Sequence, residues 1–118
     1  MQVLKDIIDS LGSDAPVQEV RRGLYWTAVK SLHCGLASAM AFQQSCAGDA
    51  DDGASRPLTS LTALELAGRS LSPDLSQASL GLAAVNSLTG IDESRCSEVD
   101  GIGYVCGIAS GKNVSVIG

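Results

Sequence analysis

A chain of 118 residues with 45% hydrophobic side chains has room for one hydrophobic core but not for two, and it is too apolar to be read as disordered. The net charge of -5 excludes the Lys- and Arg-rich footprint that nucleic-acid phosphates require. No run approaches the roughly 18 consecutive apolar residues of a membrane span, and Lys5, Asp6 and Asp9 interrupt the start where an export signal needs an apolar stretch. A cytoplasmic protein with neither a nucleic-acid nor a membrane partner is expected.

Residues Val3 to Leu11 place Val3, Leu4, Ile7, Ile8 and Leu11 on one helical face, with Lys5, Asp6 and Asp9 opposite, and Gly12 is read as a left-handed C-terminal cap. Val17 to Arg22 alternates apolar and polar residues, and Tyr25 to Ser31 is rich in strand formers, with Gly23 between them as a hairpin or bulge. Cys34 to Phe42 is read as a strand buried on both faces, although its alanines suit a helix equally well. The polar stretch from Gln43 to Pro57, with Asp49, Asp51 and Asp52 among glycines, has loop composition. Thr59 or Ser60 would cap a helix carrying Leu61, Leu64, Leu66 and Ala67, ended by Gly68. Ser72-Pro73-Asp74 starts a second helix running to about Leu88. Its predicted buried stripe is Leu75, Ala78, Leu82 and Val85, with Ala84 and Leu88 more loosely aligned, and Gly81 suggests close packing against another backbone. Gly101 to Ser110 fits either a short helix or a strand, and Gly111 to Gly118 reads as a tight turn followed by a short strand.

Three segments together resemble the family known as "putative heavy-metal chelation" proteins: Tyr25 to Ser31 followed by Cys34-Gly35-Leu36-Ala37, the helix Ala78 to Ser87 around Ser79-Leu80-Gly81-Leu82-Ala83-Ala84-Val85-Asn86, and Gly111 to Gly118. The resemblance implies an α+β fold of the enolase-N-terminal-like kind, a three-stranded antiparallel meander packed on a helical hairpin, with an extra C-terminal strand. It implies a domain over residues 1–110, and in 111–118 the first strand of a Rossmann-like second domain. In the family that strand continues into a His-Phe-Pro segment, which this sequence does not contain. The chain is therefore expected to be the N-terminal half of a heavy-metal-binding protein and to supply one wall of an inter-domain cleft, with Thr27, Gly35, Ser79 and Asn86 as cleft residues. A transition metal ion, a small-molecule or metal ligand, and either a homo-oligomer or a separate Rossmann-like partner follow from the same resemblance. The competing readings are an inactive fragment of an enzyme acting on a cofactor-like ligand, and an oligomerisation module whose strand Val114 to Ile117 pairs with another copy.

The residues themselves offer few ligands. Cys34, Cys46, Cys96 and Cys106 match no C-x-x-C pattern and are read mostly as buried small hydrophobes. His33 beside Cys34 is the best transition-metal pair available, although strand neighbours point to opposite faces and would need a turn to share one ion. Asp49, Asp51 and Asp52 lack the terminal Glu of a calcium loop. Asn86 either caps a neighbouring backbone or projects into a cleft, and Thr27 faces the same alternatives. Lys112 and Asn113 are read as a solvated turn. The glycines at 101, 103 and 107 precede the last strand and so do not form a dinucleotide loop. With His33 as the sole histidine and no Gly-x-Ser-x-Gly elbow, nucleophilic catalysis has no support, and no catalytic residue is assigned.

Overall fold

The computed structural model describes residues 2–39 and 57–115. The fold is α+β: helix α1 (Gln2–Ser10), strands β1 (Glu19–Arg22), β2 (Trp26–Lys30) and β3 (Cys34–Ser38), then helices α2 (Ala63–Ala67), α3 (Leu75–Leu88) and α4 (Gly101–Ala109). The strands form an antiparallel meander in the order β1-β2-β3, with Val20 opposite Val29 and Val29 opposite Gly35. The Gly23 amide donates to the Trp26 carbonyl at 2.7 Å and closes the first hairpin. The second turns through Ser31–His33, where the Ser31 amide donates to the His33 carbonyl at 2.9 Å.

Alternation then sorts the side chains. Thr27, Val29, Gly35 and Ala37 face the core, whereas Trp26, Ala28, Lys30, Cys34, Leu36 and Ser38 lie on the other face. Helix α3 covers the inner face, lying against β2 and β3, and α2 packs on α3. Val17, Val29, Ala63, Leu66, Leu80, Ala83, Ala84 and Leu88 form the core between them.

Segment 14–17 ties the first half of the fold to α2 and completes its N-terminus. A helix begins with four amides that lack intrahelical acceptors, and here each of the first four is satisfied. Ala63 donates to the Ala15 carbonyl, Leu64 donates to Asp14 Oδ1 at 2.9 Å, Glu65 donates to Thr62 Oγ1, and the cap's own amide, that of Thr62, donates to Glu65 Oε2. The last two bonds make a capping box. Burial pushes the Asp14 carboxyl up, but hydrogen bonds from the Leu64 amide, the Thr62 hydroxyl and the Ala15 amide outweigh it and hold the carboxyl below its ordinary value of 3.8.

Because the folded carboxyl gives up its proton more readily than the unfolded one, its contribution is fully present above that ordinary value. It is lost as the pH falls through the lowered one. Asp14→Ala should cost about 1 kcal/mol at neutral pH and reduce the loss of stability on acidification. Urea unfolding of both proteins at neutral pH and near pH 3 checks both effects.

Several sequence expectations are corrected. The cap of α2 is Thr62, not Thr59 or Ser60, which lie in the preceding short turn Leu58–Ser60. The cap of α3 is Asp74, whose carboxylate accepts from the Ser76 and Gln77 amides, while Ser72 Oγ accepts from the Asp74 amide. Gly12 has no left-handed backbone, and among the described glycines only Gly111 does (φ 72°).

On α3, Val85, Ala84 and Leu88 of the expected stripe are buried but Leu75 and Leu82 are exposed, and the buried face runs also through Ser79, Leu80, Ala83 and Ser87. The sheet and α2 approach the side where Ser79, Ala83, Ala84 and Ser87 are small and Leu80 and Leu88 fill the core, so Leu75 and Leu82 are left outside. Segment 101–109 is a helix. Phe42, the 43–56 stretch and Val116 to Gly118 lie outside the described residues, and with them the end of the predicted β3 and part of the final strand.

Candidate functional site

Two glycines set how closely α3 sits on its neighbours. A Cβ on Gly35 would lie 2.1 Å from the Ala83 carbonyl oxygen and 2.3 Å from the Ser87 nitrogen. One on Gly81 would lie 2.0 Å from the Ser70 nitrogen. The helix therefore touches β3 on one side and the Gly68–Leu71 turn on the other, backbone to backbone.

That approach brings α3 side chains to the carbonyls along β3. Ser79 Oγ donates to the Ser38 carbonyl at 2.6 Å, and Asn86 Nδ2 donates to the Leu36 carbonyl at 2.7 Å. An edge strand leaves alternate backbone groups unpaired, and these two side chains cap such groups.

The same seam holds two of the other expected cleft residues. Thr27 is buried, and its Oγ1 accepts from Ser79 Oγ at 3.3 Å. Gly35 is buried directly beneath α3. Thr27, Gly35 and Ser79 thus act in the packing of helix on sheet, and Asn86 is the one of the four that is exposed. The alternative of Asn86 as a backbone cap is realised through Leu36. Farther along the seam, Ser31 Oγ and Ser87 Oγ share a buried hydrogen bond of 2.6 Å.

His33 and Cys34 stand at one end of this seam. The His33 amide donates to the Ser87 carbonyl at 2.9 Å, pinning the β2–β3 turn to the last turn of α3. His33 lies in the turn and Cys34 is the first residue of β3, with its side chain on the sheet face opposite α3. Both side chains are exposed, as is that of Asn86, which adjoins Ser87 in the chain.

The His33 turn thus forms a rim beside a helix C-terminus, the end whose unsatisfied carbonyls favour positive charge, while the Cys34 thiol lies on the other face of the sheet. Two donors of metal-ligating type do not make a closed tetrahedral site. Among the described residues no group of three or more His, Cys, Asp or Glu side chains is arranged to hold an ion. The donors present therefore do not fit a complete metal centre.

The other cysteines depart from expectation. Cys34, Cys96 and Cys106 are free and exposed, because Cys34 lies on the uncovered sheet face and the other two fall in a segment, 89–108, that buries none of its side chains. Cys46 and the aspartates at 49, 51 and 52 lie outside the described residues. Lys112 and Asn113 are exposed beside the Gly111 turn. Sequence reasoning missed Asp14, Ser31 and Ser87 as buried or bridging polar groups. The polar positions that interrupt apolar α3 were the one available signal for Ser87.

This architecture, an open antiparallel meander with helices on one face, defines an α+β domain, and comparison places it in a family. The family model described as "putative heavy-metal chelation" matches residues 4–89, and the chain belongs to that family. A solved structure of similar fold is a protein of unknown function of the DUF364 family from Desulfitobacterium hafniense, with a TM-score of 0.60 and 24% identity. The match covers 73% of this chain and 34% of that one, so the chain spans about a third of that protein's length. Comparison with curated proteins finds no match. No helix among the described residues is long and apolar enough to cross a membrane.

Proposed function

We propose that this chain is the N-terminal portion of a metal-handling protein and supplies one wall of an inter-domain cleft, with the remaining ligands provided by a Rossmann-like second domain. The supporting observation is that His33 and Cys34, consecutive and both exposed, lie where the β2–β3 turn is held against the C-terminal end of α3. Two donors in solvent form a half-site. Asn86 borders it, and Thr27, Gly35 and Ser79 form the seam that fixes the wall's position. The family's description supports a transition metal as the ion.

In this reading the fold is of the enolase-N-terminal-like kind, with the domain spanning residues 1–110. Residues 111–118 lead into the second domain.

Isothermal titration with nickel, cobalt, zinc and iron, with the chain alone and with a second-domain partner supplied, tests the proposal. Weak or undetectable binding by the chain alone, strengthened at least tenfold by the partner and lost in Cys34→Ser, is the expected pattern. Absence of binding in both arrangements removes it.

A further inference from the structure

Helix α4 has no evident means of stability by itself. It is nine residues long, contains Gly101, Gly103 and Gly107, and buries no side chain. Helices shorter than about 12 residues are marginal in water, and each interior glycine costs roughly 1 kcal/mol relative to alanine. No residue of the helix carries a charged side chain. Ile102, Tyr104, Val105 and Ile108 are each about half or more exposed, Ile102 at 78%. Asp100 satisfies the Gly103 amide at 2.9 Å, which fixes where the helix begins but supplies no packing.

The same chain carries a second uncovered apolar surface. The outer face of the meander presents Trp26, 60% exposed, and Leu36, 52% exposed, as diagonal cross-strand neighbours with Ala28 between them. Leu24 and Leu32 are exposed in the turns at its two ends.

The two surfaces match in size and in charge. A nine-residue helix is about 13 Å long and about 10 Å wide, and a five-residue strand with its two spacings to neighbours spans about 17 by 10 Å. On the sheet face Arg21 is ion-paired with Glu19, which leaves Lys30 as the net positive charge. The exposed approach to α4 carries four carboxylates, Asp92, Glu93, Glu98 and Asp100, against the single guanidinium of Arg95. An acidic flank leading into an apolar helix thus complements an apolar face bordered by Lys30.

We infer that α4 of one copy docks on the outer sheet face of a second copy, over Trp26 and Leu36, and that the exchange is reciprocal. Two such contacts related by a two-fold axis close a dimer and leave neither helix exposed, whereas one-way exchange would propagate into a filament. This contact is separate from the His33–Cys34 rim and does not depend on a metal.

Trp26 is the only tryptophan, so its fluorescence reports on the proposed surface alone. Light scattering and Trp26 emission, followed from low to high concentration of the 118-residue chain, should show a dimer forming together with a blue shift. Ile102→Asp should weaken dimerisation at least tenfold and abolish the shift. Because Ile102 packs on nothing in its own chain, urea unfolding of the variant monitored by circular dichroism, at a concentration where the parent is monomeric, should remain at the parental midpoint.

A monomer at all concentrations overturns the inference, whether its Trp26 emission is that of an exposed indole or is blue-shifted by the chain's own helix. So does a dimer whose mass and emission are indifferent to Ile102→Asp, because association would then use another surface.

Discussion

Gly35→Ala should destabilise the domain by about 3 kcal/mol or more, a loss large enough to leave much of the chain unfolded at 37 °C. The added methyl would meet the Ala83 carbonyl oxygen at 2.1 Å and the Ser87 nitrogen at 2.3 Å. Both are backbone atoms of a helix, so neither can turn aside as the tip of a side chain would. Relief requires α3 to lift from β3, which would stretch the Asn86–Leu36 and Ser79–Ser38 hydrogen bonds that cap the strand.

Gly81→Ala should have a comparable effect on the opposite side of α3, where the methyl meets the Ser70 nitrogen at 2.0 Å. Gly12→Ala is the control. Nothing lies within 4 Å of its Cβ position and its backbone is not left-handed, so the substitution should be neutral or stabilise by about 0.5 kcal/mol. Urea denaturation of the three variants, read against the parent, distinguishes collision from a general intolerance of substitution.

Leu80→Ala is the second large effect, expected to cost about 2–5 kcal/mol. Leu80 is fully buried, as is Leu66, and they are the largest such side chains in a core otherwise made mainly of alanine and valine. Small neighbours on fixed backbones cannot collapse to fill the space, so the cost should fall toward the upper part of that range. Leu82→Ala, two residues away, removes the same atoms from a side chain that is 39% exposed and should cost well under half as much. The comparison identifies which face of α3 is buried, the point on which the expected stripe failed at Leu75 and Leu82.

That failure shows where sequence reading succeeds and where it stops. The first two strands were legible because Val17 to Arg22 alternates and Tyr25 to Ser31 is rich in strand formers, with Gly23 between them, whereas the alanines of the third suited a helix equally well. The second helix was legible from Ser72-Pro73-Asp74, although the capping role belongs to Asp74.

The buried face was not legible, since α3 is apolar on nearly every side and only tertiary packing decides which side is covered. Gly81 was a usable signal for backbone approach, and Gly35 carried the same information inside a motif read only for kinship. For the rim, the adjacency of His33 and Cys34 was visible, but not the Ser87 carbonyl that anchors them, because that contact joins residues far apart in the chain. The exposed cysteines were misjudged because a hydrophobic reading of cysteine assumes that its segment joins the core, and the segment bearing Cys96 and Cys106 does not.

The central claim is that the rim is half of a metal site, and cobalt titration followed by absorption spectroscopy tests it most directly, because a thiolate bound to cobalt gives a charge-transfer band. The chain alone should give little or no band, and adding the second-domain partner should produce one that disappears in Cys34→Ser. An equally strong band from the chain alone, unchanged by Cys34→Ser and His33→Ala, would contradict the account.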